Sequence, residues 1–227
     1  MFLFKTKILP INDINSLALS KIPKKIYILG NGPSLNNYSP EQLTNKFVIG
    51  TNRSWLWGKT NILVWRDSRI TDELQLFSIK KDDNSIWITS KDKYKYKTEM
   101  KNTDFVTSQL DYFFHDSWKN KILKCNIRWN GIIFHAIAIA KFLSPNASIH
   151  LIGVDLLAED NSHHFFNIYK GFDRGYFKNN WDQDNFNYQK RLNMMLNNFV
   201  ILKKQGLEII NHSENSKLSE IIGYTKL

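Results

Sequence analysis

The sequence predicts an α/β fold: a Rossmann-like, mostly parallel sheet covered by helices and carrying a lid segment. Three observations predict it. Short apolar runs alternate with longer stretches of helical period. Most of these runs end in Gly, Asn, Asp, Ser or Thr, the residues that make tight turns. The chain has 227 residues, 42% of them hydrophobic, which is enough for one sizeable core and marginal for two domains.

Taken in order, residues 1–23 read as an N-terminal arm and 24–227 as one domain. The predicted strands are Lys25 to Leu29, Phe47 to Gly50, Ile62 to Trp65, Ser85 to Thr89, Ser148 to Ile152 and Leu207 to Ile210. Gly131 to Phe142 is apolar on every side, which predicts a buried helix against the sheet. Leu192, Met195, Leu196, Phe199 and Leu202 recur at helical spacing. Residues 158–186 are rich in Asn, Asp, His and aromatics with weak periodicity, and read as a lid or binding loop. In parallel sheets ligands bind at the carboxyl ends of the strands, so the polar strand ends are expected to converge on one crevice.

Lys and Arg outnumber Asp and Glu by 31 to 21, for a net charge of +10. A basic surface attracts phosphates, nucleic acid or an anionic membrane; a solvated Lys-rich surface is the plainer reading. Aromatics make up 14% of the chain, with seven Trp, which suggests either a ring-lined cleft or core packing. A single cysteine, Cys125, excludes an internal disulfide and a Cys-based zinc site. The N-terminus has no apolar run of secretory length, and the apolar run from Gly131 to Ala140 is too short to span a membrane. The expectation is a soluble cytoplasmic protein, with peripheral contact to a membrane or nucleic acid through its basic residues.

Directly after the first strand comes Gly30-Asn31-Gly32-Pro33-Ser34. Glycines let a backbone approach a phosphate, and N–H groups at a helix start favour an anion. The dinucleotide fingerprint is excluded, because its third Gly falls at Leu35 and the second strand ends in Asn52, not an acid. No phosphate loop of the G-x-x-x-x-G-K-S/T type is present. The plainer alternative for the motif is a tight turn.

The order of motifs carries a resemblance. Ile28 to Leu35 (ILGNGPSL), Thr51-Asn52, Asn126-Ile127-Arg128 before the apolar helix, Ile149 to Asp155 (IHLIGVD) and Glu208 to Asn211 with Asn215-Ser216 resemble the bacterial sialyltransferases of glycosyltransferase family 42. They also resemble the related motility-accessory-factor and 6-hydroxymethylpterin pyrophosphokinase-like proteins. The similarity runs from about Lys24 to Leu218.

That resemblance implies a nucleotide-sugar site. Asn31 and Ser34, with the amides of Gly30 and Gly32 and the bend at Pro33, are implied to contact the donor's phosphate or sugar. Asn52 is implied to contact the nucleotide, Asn130 and Gly131 the donor sugar, and Gly153 and Asp155 the ribose or base. Arg128 is implied to order the site. The family transfers a sugar without a metal or resident cofactor, to a hydroxyl acceptor such as a glycan. A histidine deprotonates the acceptor and tyrosines stabilise the departing phosphate. Here Leu157 stands where a tyrosine is expected, and residues 180–190 hold no histidine. His164 or His163 is therefore nominated as base and Tyr169 as phosphate donor, with Tyr176 a second choice; packing roles are the alternative for each. Asp182-Gln183-Asp184 and Asp67 are weaker metal candidates; His212, beside the last strand's polar turn, is a secondary candidate among the histidines. His115, His135 and His150 read as structural. Two rival functions stay open: a pterin-type pyrophosphokinase using ATP and Mg²⁺ on Asp67 and Asp155, and a non-catalytic nucleotide- or nucleic-acid-binding module.

Overall fold

The computed structural model describes residues 23–66, 70, 73, 74, 77, 79, 85–90, 105–107, 116–127, 131–156 and 181–227. Among them, seven strands form one sheet: β1 (Lys25–Leu29), β2 (Phe47–Thr51), β3 (Ile62–Trp65), β4 (Ile86–Ser90), β5 (Phe105–Thr107), β6 (Ser148–Ile152) and β7 (Ile209–Asn211). The order across the sheet is β5-β4-β3-β2-β1-β6-β7, and every pairing is parallel. The helices are α1 (Asp116–Leu123), α2 (Ile132–Leu143), α3 (Trp181–Lys204) and the short α4 (Ser219–Ile222).

Alternation along the strands explains the two covered faces. Ile26 and Ile28 of β1, Ile49 of β2, Ile62 and Val64 of β3, and Ile149 and Leu151 of β6 share one core with α2, with Phe199 and Leu202 of α3. The intervening residues Tyr27, Leu29, Val48 and Ile152 point the other way, onto Leu35, Leu43 and Trp57. Leu63, Trp65 and Trp87 extend that second face. Strands covered on both faces read as continuous apolar runs, which is how β1, β3 and β6 look in sequence. Ala136, Ala138 and Ala140 are fully buried, so α2 presents small residues as well as Ile and Phe to its surroundings.

Three sequence expectations are corrected. The strand β5 and the helix α1 were not expected; three residues are too few to show a period. The last strand lies at Ile209–Asn211, displaced toward its polar end. The helix α3 begins at Trp181, so the final part of the expected lid, 181–186, is helical. Its first turns are rich in Asn and Asp, which have low helix propensity and hide the period; burial of Leu192, Phe199 and Leu202 further along supports the helix. The Asp182-Gln183-Asp184 motif falls in its first turn. Four tryptophans, Trp57, Trp65, Trp87 and Trp118, are buried in the cores, which accounts for much of the aromatic content by packing. The residues of the N-terminal arm before Pro23 lie outside the described residues.

Candidate functional site

The sheet is wound outward from β1 through β2 to β5, then returns to lay β6 on the other side of β1. The direction of winding reverses between β1 and β6. At such a switch point the two connections leave in opposite directions and open a crevice at the carboxyl ends of the strands. The turn after β1, Gly30–Ser34, and the turn after β6, Gly153–Asp155, meet there.

The contact is close enough to require glycine. The Gly30 N–H donates to the Ile152 carbonyl at 2.8 Å and the Gly32 N–H to the Gly153 carbonyl at 2.7 Å. A Cβ on Gly30 would overlap the Gly153 carbonyl, standing 2.7 Å from its carbon. A Cβ on Gly32 would stand 2.7 Å from the Asp155 carboxyl carbon and 2.8 Å from the Gly153 oxygen. Gly153 itself has φ +70°, the left-handed region.

Asp155 is 3% exposed and clasps Ser34. The Ser34 N–H donates to its Oδ2 at 2.8 Å, and the Ser34 hydroxyl donates to its Oδ1. Burial pushes the Asp155 pKa up, opposed by the hydrogen bonds from Ser34 and from Ser213. The backbone beneath it is pinned from β7's side: Ser216 Oγ donates to the Val154 carbonyl at 2.6 Å, and Ser213 Oγ accepts from the Val154 N–H at 3.1 Å. From the other side, the Trp57 indole N–H donates to the Leu35 carbonyl at 3.1 Å. Pro33 opens a five-residue 3₁₀ turn, Pro33–Asn37.

Two expectations change here. No α-helix follows the first turn, so the anion-favouring helix start is replaced by a short 3₁₀ turn. The N–H groups of Gly30, Gly32 and Ser34 are committed to protein acceptors, and the anion nearest Ser34 is the protein's own Asp155. The physical reason is the parallel pairing of β1 with β6, which carries the Asp155 turn directly over the Gly30 turn.

At the end of β2, Asn31 spans the next turn. Its Nδ2 donates to the Thr51 carbonyl at 2.8 Å, and its Oδ1 accepts from the Arg53 N–H at 3.0 Å. Asn52, between those two groups, has φ 48°. Its side chain is half-buried and makes no hydrogen bond to the protein among the described residues. Gly131 caps the start of α2, where a Cβ would come within 3.2 Å of Met195 of α3.

The structure thus brings Gly30, Asn31, Gly32, Pro33, Ser34, Asn52, Gly153 and Asp155 to the carboxyl ends of β1, β2 and β6. Arg128, Asn130, His163, His164, Tyr169, Tyr176, Asp67 and His115 lie outside the described residues. His135 is buried in α2, and His150 and His212 face each other in the second core, 2.9 Å apart. Burial pushes the Cys125 thiol pKa up, opposite to what a nucleophile needs. Thr51 and Ser216, which belong to the motifs of the resemblance, support the site through hydrogen bonds, as do Ser213 and Glu73, whose only signals are a place in the polar stretch after β7 and in the segment after β3.

No family model matches the chain, and no curated protein matches it. Two solved structures of the sialyltransferase CstII from Campylobacter jejuni do, one in complex with the substrate analogue CMP-3FNeuAc and one with cytidine-5'-monophosphate. The TM-scores are 0.50 and 0.52, at 16% and 18% identity, over 88% of this chain and 86% and 84% of theirs. The chain shares its fold with the sialyltransferase CstII. This is the fold that the sequence resemblance implied. The Gly30–Ser34 turn opens from β1, an interior strand of the sheet between β2 and β6.

Proposed function

We propose that the chain is a glycosyltransferase that moves a sugar from a nucleotide-sugar donor to a hydroxyl acceptor. The observation that carries this reading is the switch-point crevice, where two glycine turns close on each other through Ser34 and Asp155 while the Asn52 amide beside them has no hydrogen-bond partner among the described residues. An unengaged amide at a strand's carboxyl end is suited to a nucleotide's polar edge. CstII, which has this fold, has been captured with CMP and with a CMP-sugar analogue, and this supports a nucleotide-sugar as the donor class.

In the proposed reaction the donor lies over the outer side of the Gly30–Ser34 turn. The acceptor hydroxyl is deprotonated by His164 or His163, since a hydroxyl needs a base that is neutral near its working pH. Tyr169 stabilises charge on the departing phosphate, and Arg128 orders the site. Displacement inverts the sugar's configuration. The transfer needs no metal; support comes from Asp155, whose two carboxylate oxygens are already occupied by Ser34. No observation favours the pyrophosphokinase or the nucleic-acid-binding reading.

A thermal-shift screen with CMP, CDP, UDP, GDP and ATP tests the site, followed by a transfer assay with the matching nucleotide-sugar in EDTA. A raised melting temperature with one nucleotide and transfer undiminished by EDTA are expected. No shift with any of the five ends the nucleotide reading, and loss of transfer in EDTA ends the metal-independent one. His163→Ala and His164→Ala are then compared; full turnover in both, and in the double variant, removes histidine as the base.

A further inference from the structure

We infer that Glu73 is a positioning residue for Asn52, acting through Arg53 and Asn31. This rests on the nucleotide site proposed above. Glu73 stands between β3 and β4, away from every motif the sequence singles out. Its carboxylate takes the Arg53 guanidinium side-on: Nε donates to Oε2 at 2.7 Å and Nη2 pairs with Oε1. Both side chains are largely buried, at 7% and 17% exposure. A two-pronged Arg–carboxylate pair fixes orientation as well as distance.

The backbone N–H of the same Arg53 is the group that Asn31 Oδ1 holds. Asn31 Nδ2 holds the Thr51 carbonyl, and the Thr51 hydroxyl donates to the Leu29 carbonyl at 2.7 Å. Residues 51 and 53 are therefore gripped on both sides of Asn52, from β1 through Asn31 and from the segment after β3 through Glu73. Between these grips Asn52 stands at φ 48°, the left-handed region that asparagine tolerates better than most non-glycine residues. The grip sets where the unengaged Asn52 amide stands relative to the Gly30 turn. Asn31 thereby acts as the inner jaw of the clamp, and Asn52 is the residue that meets the ligand.

The test measures dissociation constants for whichever of CMP, CDP, UDP, GDP and ATP gives the largest thermal shift with the wild-type chain. Glu73→Gln and Arg53→Lys keep hydrogen-bonding capacity but break the two-pronged geometry. Each is expected to weaken binding about tenfold, within the span of coupled neighbours. In an Asn52→Ala background, Glu73→Gln is expected to add less than twofold, because the residue it positions is gone. A merely structural ion pair lowers the melting temperature and leaves the dissociation constant and the cycle additive. Arg53→Met/Glu73→Met leaves no buried charge unpaired and carries the same test if a single variant does not fold; it too is expected to bind about tenfold more weakly. If wild type binds none of the five nucleotides, the proposed function falls and this inference with it. If wild type binds and the folded variants bind within twofold of it, the inference alone is overturned.

Discussion

Gly30 and Gly206 show how differently two glycines are used. Gly30 lies where a side chain would collide with the Gly153 backbone carbonyl, which cannot swing aside. Gly206 has φ +75° and nothing within 4 Å of a would-be Cβ. Gly30→Ala is expected to cost about 3 kcal/mol or more by overpacking against backbone. Gly206→Ala is expected to cost about 1–2 kcal/mol, the left-handed strain alone. Urea unfolding of both variants checks this, and equal losses would defeat the steric account. Asp155 is a second residue-scale case. Asp155→Asn replaces one acceptor of Ser34 with a donor facing the Ser34 hydroxyl, so a stability loss of about 1–3 kcal/mol is expected in the same unfolding measurement. That Gly30 and Gly32 belong to a tight turn was legible from their place after an apolar run. That the turn closes on a carboxylate was not, because Ser34 and Asp155 are 121 residues apart.

Among the elements, β6, the residues after β7 and the segment following α4 share a polarised chain of hydrogen bonds. The Thr225 carbonyl can only accept, so His212 donates from Nδ1 at 2.6 Å. His212 Nε2 then accepts from His150 Nδ1 at 2.9 Å, and His150 Nε2 accepts from the Ser148 hydroxyl at 3.1 Å. Both rings are neutral in this arrangement. His150 is pushed down to about 4, first by burial and then by His212 and Lys25; His212 is also pushed down, chiefly by burial. In the unfolded chain His150 protonates near its ordinary 6.5, so between 6.5 and about 4 the unfolded state binds more protons than the folded one. Stability is therefore full above pH 6.5 and falls as pH drops toward 4, by on the order of 3 kcal/mol from His150. Denaturation at pH 7.5, 5.5 and 4.5 checks the slope. His150→Phe, which keeps a ring against Tyr27, is expected to flatten it. The elements themselves were largely legible, since β1, β3 and β6 are apolar runs. The start of α3 was not, because its Asn- and Asp-rich first turns lack the period that tertiary packing later imposes.

For the whole molecule, the switch point predicts how ligand and fold are linked. A nucleotide that bridges the ends of β1 and β2 binds only the folded chain. At a hundred times its dissociation constant it adds about 2.7 kcal/mol, or about 5–10 °C in melting temperature for a chain of this size. Asn52→Ala is expected to lower that shift while lowering the unliganded melting temperature by no more than about 2–6 °C, the cost of an alanine at φ 48°, because among the described residues its side chain has no hydrogen-bond partner to lose. A large drop in the unliganded value would show that Asn52 serves the fold instead.

The sequence by itself determined the fold class, most of the strands, the glycine turn after β1 and the resemblance that its motif order carries. These are local properties: a period, a turn residue, the order of short motifs. Only the tertiary structure decided what those motifs touch. It laid β6 beside β1, so that Asp155 meets Ser34, and brought Glu73 to Arg53 behind Asn31. It also turned His150 toward His212. Such contacts join residues far apart in the chain, and they follow from strand order and sheet pairing, which no local pattern encodes. The turn read from the sequence as a phosphate cradle also closes, in three dimensions, on the buried aspartate Asp155.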